Sequence, residues 1–162
     1  MKCSTDLCRK GSTGGLAVNF LTASGTTVTG ANGNFFNATF DATGGKSIAA
    51  HNLGTLLPNN ARILSAWYKV NTTFTSATDA ATISLGVETA AAAGLVAAIA
   101  ISDGSNPWDS SATPVACIPD FATVADWTTA TAAAGKNIIA TVAVEALTAG
   151  KLTLWGYYTT VA

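Results

Sequence analysis

Between Ile63 and Phe74 the side chains alternate, and this alternation limits what the chain can become more than any other feature. Leu64, Ala66, Tyr68, Val70, Thr72 and Phe74 fall on one side, and Ser65, Lys69, Asn71 and Thr73 on the other. A period of two with one apolar face is the mark of a β-strand laid on a core. Pro58, Asn59 and Asn60 supply a turn before it. The pattern returns at Ala81–Glu88, where Ile83, Leu85 and Val87 oppose Thr82, Ser84 and Glu88. It returns again at Asn137–Ala146, with Ile138, Ala140, Val142, Val144 and Ala146 on one face. In Lys151–Thr160, Leu152, Leu154 and Tyr158 point to the core.

The punctuation completes a topology. Ser76-Ala77-Thr78-Asp79 suits a hairpin connection, and Thr148-Ala149-Gly150 predicts a second turn, pairing the last two strands as an antiparallel hairpin. Weaker strands are expected at Gly25–Gly30, Asn34–Asp41 and Lys46–Leu53. Ala90–Ile101 is two-sided: its alanines favour a helix, while Leu95, Ala97, Ile99 and Ile101 alternate. A short helical turn followed by extended chain is the expectation. Asp103–Thr113 and Asp120–Gly135 read as loops. Roughly eight short strands with frequent turns predict an all-β fold, a single antiparallel β-sandwich of jelly-roll-like form.

Met1–Gly15 stands apart. It holds Lys2, Arg9 and Lys10 against Asp6, has almost no apolar residue, and runs into Ser12-Thr13-Gly14-Gly15. It reads as an extended N-terminal arm (residues 1–15) before a sandwich domain (residues 16–162), either a disordered end or a mildly basic segment that docks on a partner. It carries no apolar run of the signal-peptide kind, so synthesis in the cytosol is expected. Ala90–Ile101, the longest apolar run, is too short to span a membrane.

Charge removes further classes. Charged residues are 10% of the chain, against about 25% in an average soluble protein. Few charges leave few strongly solvated side chains, so part of the exterior is expected to lie against partners. A net charge of −1 steers the chain toward neither nucleic acid nor anionic membrane. Arg9 and Arg62 are the two arginines, too few for a nucleic-acid stripe.

Candidates for chemistry are sparse. His51 is the one imidazole, and no nucleophile motif surrounds it. Cys3, Cys8 and Cys117 are an odd set: Cys3 and Cys8 could bridge within the arm, but free thiols made in a reducing cytoplasm are the favoured reading, and Cys117 lies in an apolar stretch that predicts core. They lack the second pair a zinc site needs. Asp103, Ser105 and Asp109 loosely resemble a calcium loop, but Asp103-Gly104 and Asn106-Pro107 favour a plain turn. Asn37-Ala38-Thr39 and Asn71-Thr72-Thr73 fit the glycosylation pattern, which signifies little without a secretion signal. Carboxylates paired only in space could still make a hydrolase. No cofactor or metal is expected.

The aromatic residues are more informative. Trp67 lies on the otherwise polar side of its strand, and Trp155 and Tyr157 lie on the polar side of the last one. Aromatics turned away from a core mark contact surfaces, for a second subunit or a stacked sugar ring. The bland alternative is a second core layer beneath a loop, such as the one holding Trp108 or Trp127.

Leu57-Pro-Asn-Asn-Ala-Arg-Ile-Leu64, Val70-Asn-Thr-Thr-Phe74, Ala81-Thr-Ile-Ser-Leu-Gly86 and Leu147-Thr-Ala-Gly-Lys-Leu152 resemble a pattern in small virion proteins of tailed phages. These are described as capsid decoration, cement or head-fibre proteins. The resemblance covers Lys46 to Tyr158 and rests on strands and corners. It implies a jelly-roll-like sandwich that assembles as a homotrimer on the capsid exterior and clamps neighbouring copies of the major capsid protein. An arm commonly anchors such proteins, a role open to Met1–Gly15, although the two cysteines there are foreign to the pattern. A carbohydrate- or receptor-binding fibre module is the alternative, with Trp67, Trp155 or Trp108 as its stacking residue.

Overall fold

The structure is a computed structural model that describes residues 28–30, 33–58, 61–88, 91–105, 107–117 and 136–160. Among them the chain forms strands and turns, with no helix. The strands are β1 (Val28–Gly30), β2 (Gly33–Asp41), β3 (Ala49–Leu57), β4 (Ala61–Ser76), β5 (Thr82–Val87), β6 (Ala91–Ala100), β7 (Val115–Cys117), β8 (Lys136–Ala143) and β9 (Leu147–Thr160). One sheet has the order β1-β2-β9-β4-β7, the other β3-β8-β5-β6, and every pairing is antiparallel.

The pairings nest. β2 pairs with β9, β3 with β8, β4 with β7 and β5 with β6, as if one long hairpin had been rolled across two sheets. That nesting makes the sandwich a jelly roll, with β1 added beyond β2. The two inner faces close over one apolar core. Phe36, Phe40, Ile63, Tyr68, Val70, Leu152 and Leu154 come from the five-stranded sheet; Ile83, Leu85, Ile138 and Val142 come from the other. Each such side chain, fully buried, stabilises the fold by about 1.5–3 kcal/mol before entropy is counted.

Trp108 closes the sandwich from the loop after β6. It is fully buried, its ring lies 5.4 Å from Tyr68 and 6.2 Å from Phe74, and its Nε1 donates to the Ile99 carbonyl at 3.0 Å. The loop is stitched to β4, because Phe74 N donates to the Trp108 carbonyl and Ser111 N to the Val70 carbonyl. Trp108 is therefore core and is removed as a stacking platform.

Several expectations change. β8 and β9 are not a hairpin, for they lie in different sheets, and the turn between them is Val144–Ala146. Val144 has φ of 68° and is 67% exposed, so it leaves the inward row expected of it, as does exposed Ala146. Thr148-Ala149-Gly150 is strand. The glycine serves a different need: a Cβ at Gly150 would lie 2.1 Å from the Phe74 ring. The Ser76–Asp79 connection likewise crosses between sheets instead of closing a hairpin.

Ala91–Ala100 is strand with no helical turn, because pairing with β5 satisfies its backbone and overrides the alanine preference. On β4, Ile63 pairs with Tyr158 and Ser65 with Tyr157, so Leu64 is an extra residue in a bulge. The bulge turns Ile63 inward and leaves Leu64 53% exposed. A second irregularity between Val70 and Thr72 turns Thr72 out. The expected turn at Pro58 is supported by Ala61 N donating to its carbonyl at 3.2 Å. The arm, with Lys2, Cys3, Cys8, Arg9 and Lys10, and the stretch with Trp127 lie outside the described residues. No helix among the described residues is long and apolar enough to cross a membrane.

Candidate functional site: the outer aromatic face

Cross-strand register builds the outer face of the five-stranded sheet. Directly opposed residues share a side of a sheet. Phe35 opposes Tyr157, which opposes Ser65. One row on, Asn37 opposes Trp155, Trp155 opposes Trp67, and Trp67 opposes Ala116. The next row is Thr39, Thr153 and Lys69. Trp67, Trp155 and Tyr157, expected from sequence to look outward, are therefore brought together on neighbouring strands.

The rings touch edge to face. Trp67 and Tyr157 have centroids 6.4 Å apart at 86°, and Phe35 and Tyr157 are 5.5 Å apart at 65°. These geometries set a positive ring edge against a negative face. Tyr157 remains 48% exposed, while Trp67, Trp155 and Phe35 are half-buried. Leu64, pushed out by its bulge, adds an exposed apolar side chain on β4. Phe35 and Leu64 were not legible as members of the patch: Phe35 sits beside Phe36 with no polar alternation, and the bulge at Leu64 leaves no sequence trace.

Polar groups adjoin this face. A cleft of about 280 Å³ is lined by Lys69, Val70, Asn71, Ser110, Ser111 and Ala112. Asn71 Nδ2 donates to Thr153 Oγ1 at 2.9 Å, and Ser110 N donates to Thr73 Oγ1 at 3.0 Å. Further along, Lys151 Nζ lies 2.7 Å from Asp41 Oδ2. The lysine's hydrogen bond, then those from Thr43, hold the Asp41 carboxyl well below the usual range.

The other candidates settle into structural places. The His51 ring stacks on Phe40 at 5.8 Å, and its Nε2 lies 2.8 Å from the Ser47 carbonyl oxygen. Asp103 Oδ1 accepts from Ser105 N at 2.9 Å and from Ser105 Oγ, which is a side-chain-closed turn; these bonds lower its pKa. Among the described residues no group of three or more His, Cys, Asp or Glu is placed to hold a metal ion. Cys117 is buried, and desolvation pushes its thiol up to about 12.

The fold defines the class: a single jelly-roll sandwich with an aromatic outer face. No protein-family model matches the chain, and no curated protein matches it. Solved structures do. A chain of the cyanophage Pam1 capsid asymmetric unit is 19% identical with a TM-score of 0.54, covering 90% of this chain and 96% of that one. A chain of the capsid of Ralstonia phage GP4 is 14% identical, also with a TM-score of 0.54, covering 90% and 94%. At these identities the likeness is one of fold.

Proposed function

We propose that this chain is a non-enzymatic structural protein of a phage virion that decorates a capsid and stabilises it by bridging neighbouring capsid subunits. The observation that supports it most is the fold, shared over 90% of the chain with members of two phage capsid structures. The outer aromatic face is the second support. Trp67, Trp155 and Tyr157 give a low-charge surface for protein contact, with large rings of the kind that dominate interfaces. In this reading residues 16–162 are the sandwich and residues 1–15 an anchoring arm, with Lys2, Arg9 and Lys10 on the shell. The protein sits on the capsid exterior as a homotrimer, with the major capsid protein as partner.

Co-sedimentation with purified shells, together with mass measurement of the free protein, tests this. The expected result is a trimer that pellets with shells and stops doing so when Trp155 becomes Ala. A monomer that stays in the supernatant with intact shells overturns it. A second reading, a carbohydrate-binding fibre module, has one observation in its favour: the cleft of Lys69, Asn71, Ser110 and Ser111 lies beside the row that holds Trp67 and Trp155. Glycan-array binding abolished by Trp67→Ala would favour it over the first.

A further inference from the structure

The chain crosses between the sheets at Ser76–Ala81 and again at Val144–Ala146, and one carboxylate ties these crossings together. Glu145 accepts from Thr78 N at 3.1 Å on each oxygen, from Thr78 Oγ1 at 3.1 Å, and from Ala80 N at 3.2 Å. Ser76 Oγ donates to it as well, and in turn accepts from Ala81 N at 3.3 Å. The loop from residue 76 to 81 is thus wrapped around a side chain some 65 residues further on.

Strain collects at the same point. Asp79, at φ 59°, and Val144, at φ 68°, are the non-glycine residues with positive φ among those described. Asp79 lies between the two residues whose amides Glu145 binds, and Val144 precedes Glu145. A left-handed β-branched residue is rare and persists only where its surroundings force it. Neither crossing has a glycine to relieve it. Val144 is closed by its own turn, in which Glu145 N donates to the Ala143 carbonyl at 2.8 Å. The carboxylate that follows is acceptor-only when ionised, whereas protonation makes one oxygen a donor, which the Thr78 and Ala80 amides cannot accept.

We propose that Glu145 is a proton-operated latch, which when ionised clamps both crossings into one strained corner and when protonated releases them while the sheets stay paired. The sign follows from its surroundings. The Ser76 hydrogen bond, then that from the Thr78 amide, lower its pKa. A depressed folded value means the clamp is complete above the ordinary glutamate range and is lost as pH falls through the folded value. The charged neighbours are Asp79 on the clamped loop and Lys46, whose backbone pairs with Leu147; the Lys151–Asp41 pair lies further along β9.

Amide NMR on the full chain tests the latch. Between about pH 7 and pH 2.5, a range spanning carboxylate titration, the Thr78 and Ala80 amide protons shift together with one midpoint below the ordinary glutamate value. The amide of Leu154 does not follow them. In Glu145→Gln the shifts shrink to the response of the adjacent Asp79 carboxyl, and at neutral pH Thr78 and Ala80 exchange roughly tenfold faster or more. Adding Val144→Gly to that variant slows the exchange again, since glycine accepts the left-handed turn. Flat wild-type shifts, or equal exchange in both proteins, overturn the latch. Asp79→Asn, which removes the adjacent carboxyl and leaves Glu145 in place, keeps the common midpoint, so the titration decides even where Glu145→Gln fails to fold; loss of the midpoint in Asp79→Asn overturns the latch.

Discussion

Two aromatic triads sit back to back across β4. Inside, Tyr68, Phe74 and Trp108 lie at 5.4 and 6.2 Å; outside, Phe35, Tyr157 and Trp67 lie at 5.5 and 6.4 Å. Ring chemistry and spacing are nearly the same, but enclosure differs. Trp108 is fully buried with its indole N–H on the Ile99 carbonyl, and the Tyr68 hydroxyl donates to the Pro107 carbonyl at 3.2 Å. Tyr157 is half open to solvent. The inner triad is a cap on the core. The outer one is a surface with aromatic area still to bury.

Substitutions can break this contrast. Trp108→Ala is expected to have the largest effect, a loss of about 3–5 kcal/mol in denaturant unfolding, as for large buried aromatics. Gly156→Ala comes next. Its Cβ would lie 2.3 Å from the Ser65 carbonyl oxygen and 2.8 Å from the Phe36 ring, and the backbone oxygen cannot turn aside. Overpacking of this kind costs about 1–3 kcal/mol. Trp67→Ala should cost about 1 kcal/mol while abolishing shell binding. If it destabilises as much as Trp108→Ala, the outer triad is a second core layer and the contrast fails.

Two smaller effects sharpen it. With its thiol at about 12, Cys117 should resist alkylation near pH 8 in the folded protein and react on unfolding, read by site-resolved mass spectrometry. Lys151→Met should return Asp41 toward the ordinary carboxylate range in an NMR titration. Asp41 is depressed in the folded state, so its contribution is present above the unfolded value and lost in acid. Midpoint stability should barely move, since the pair is solvent-exposed.

The sequence disclosed the strands better than their partners. Alternation at Ile83–Val87 and Leu152–Tyr158 is a local signal, and both segments are strands with those residues buried. Pairing is not local. Thr148-Ala149-Gly150 looks like a turn because glycine usually marks one, yet here it makes room for Phe74. The actual turn uses Val144, whose left-handed backbone no propensity would suggest. Of the outer face, Trp67, Trp155 and Tyr157 were legible by parity alone. Glu145 was not, since its partners lie on a loop far back in the chain.

The nested pairing has a consequence for how the molecule comes together in time. None of β2, β3, β4 and β5 pairs with another of the four; their neighbours are β1, β6, β7, β8 and β9. A ribosome that has made the chain as far as Val87 has therefore released four strands with no hydrogen-bonded ladder among them. β8 must enter between β3 and β5, and β9 between β2 and β4, before either sheet is continuous. High contact order of this kind slows folding, and the waiting edges are open to other chains meanwhile. The newly made chain should be far more dependent on chaperones, and more prone to aggregate, than the finished sandwich.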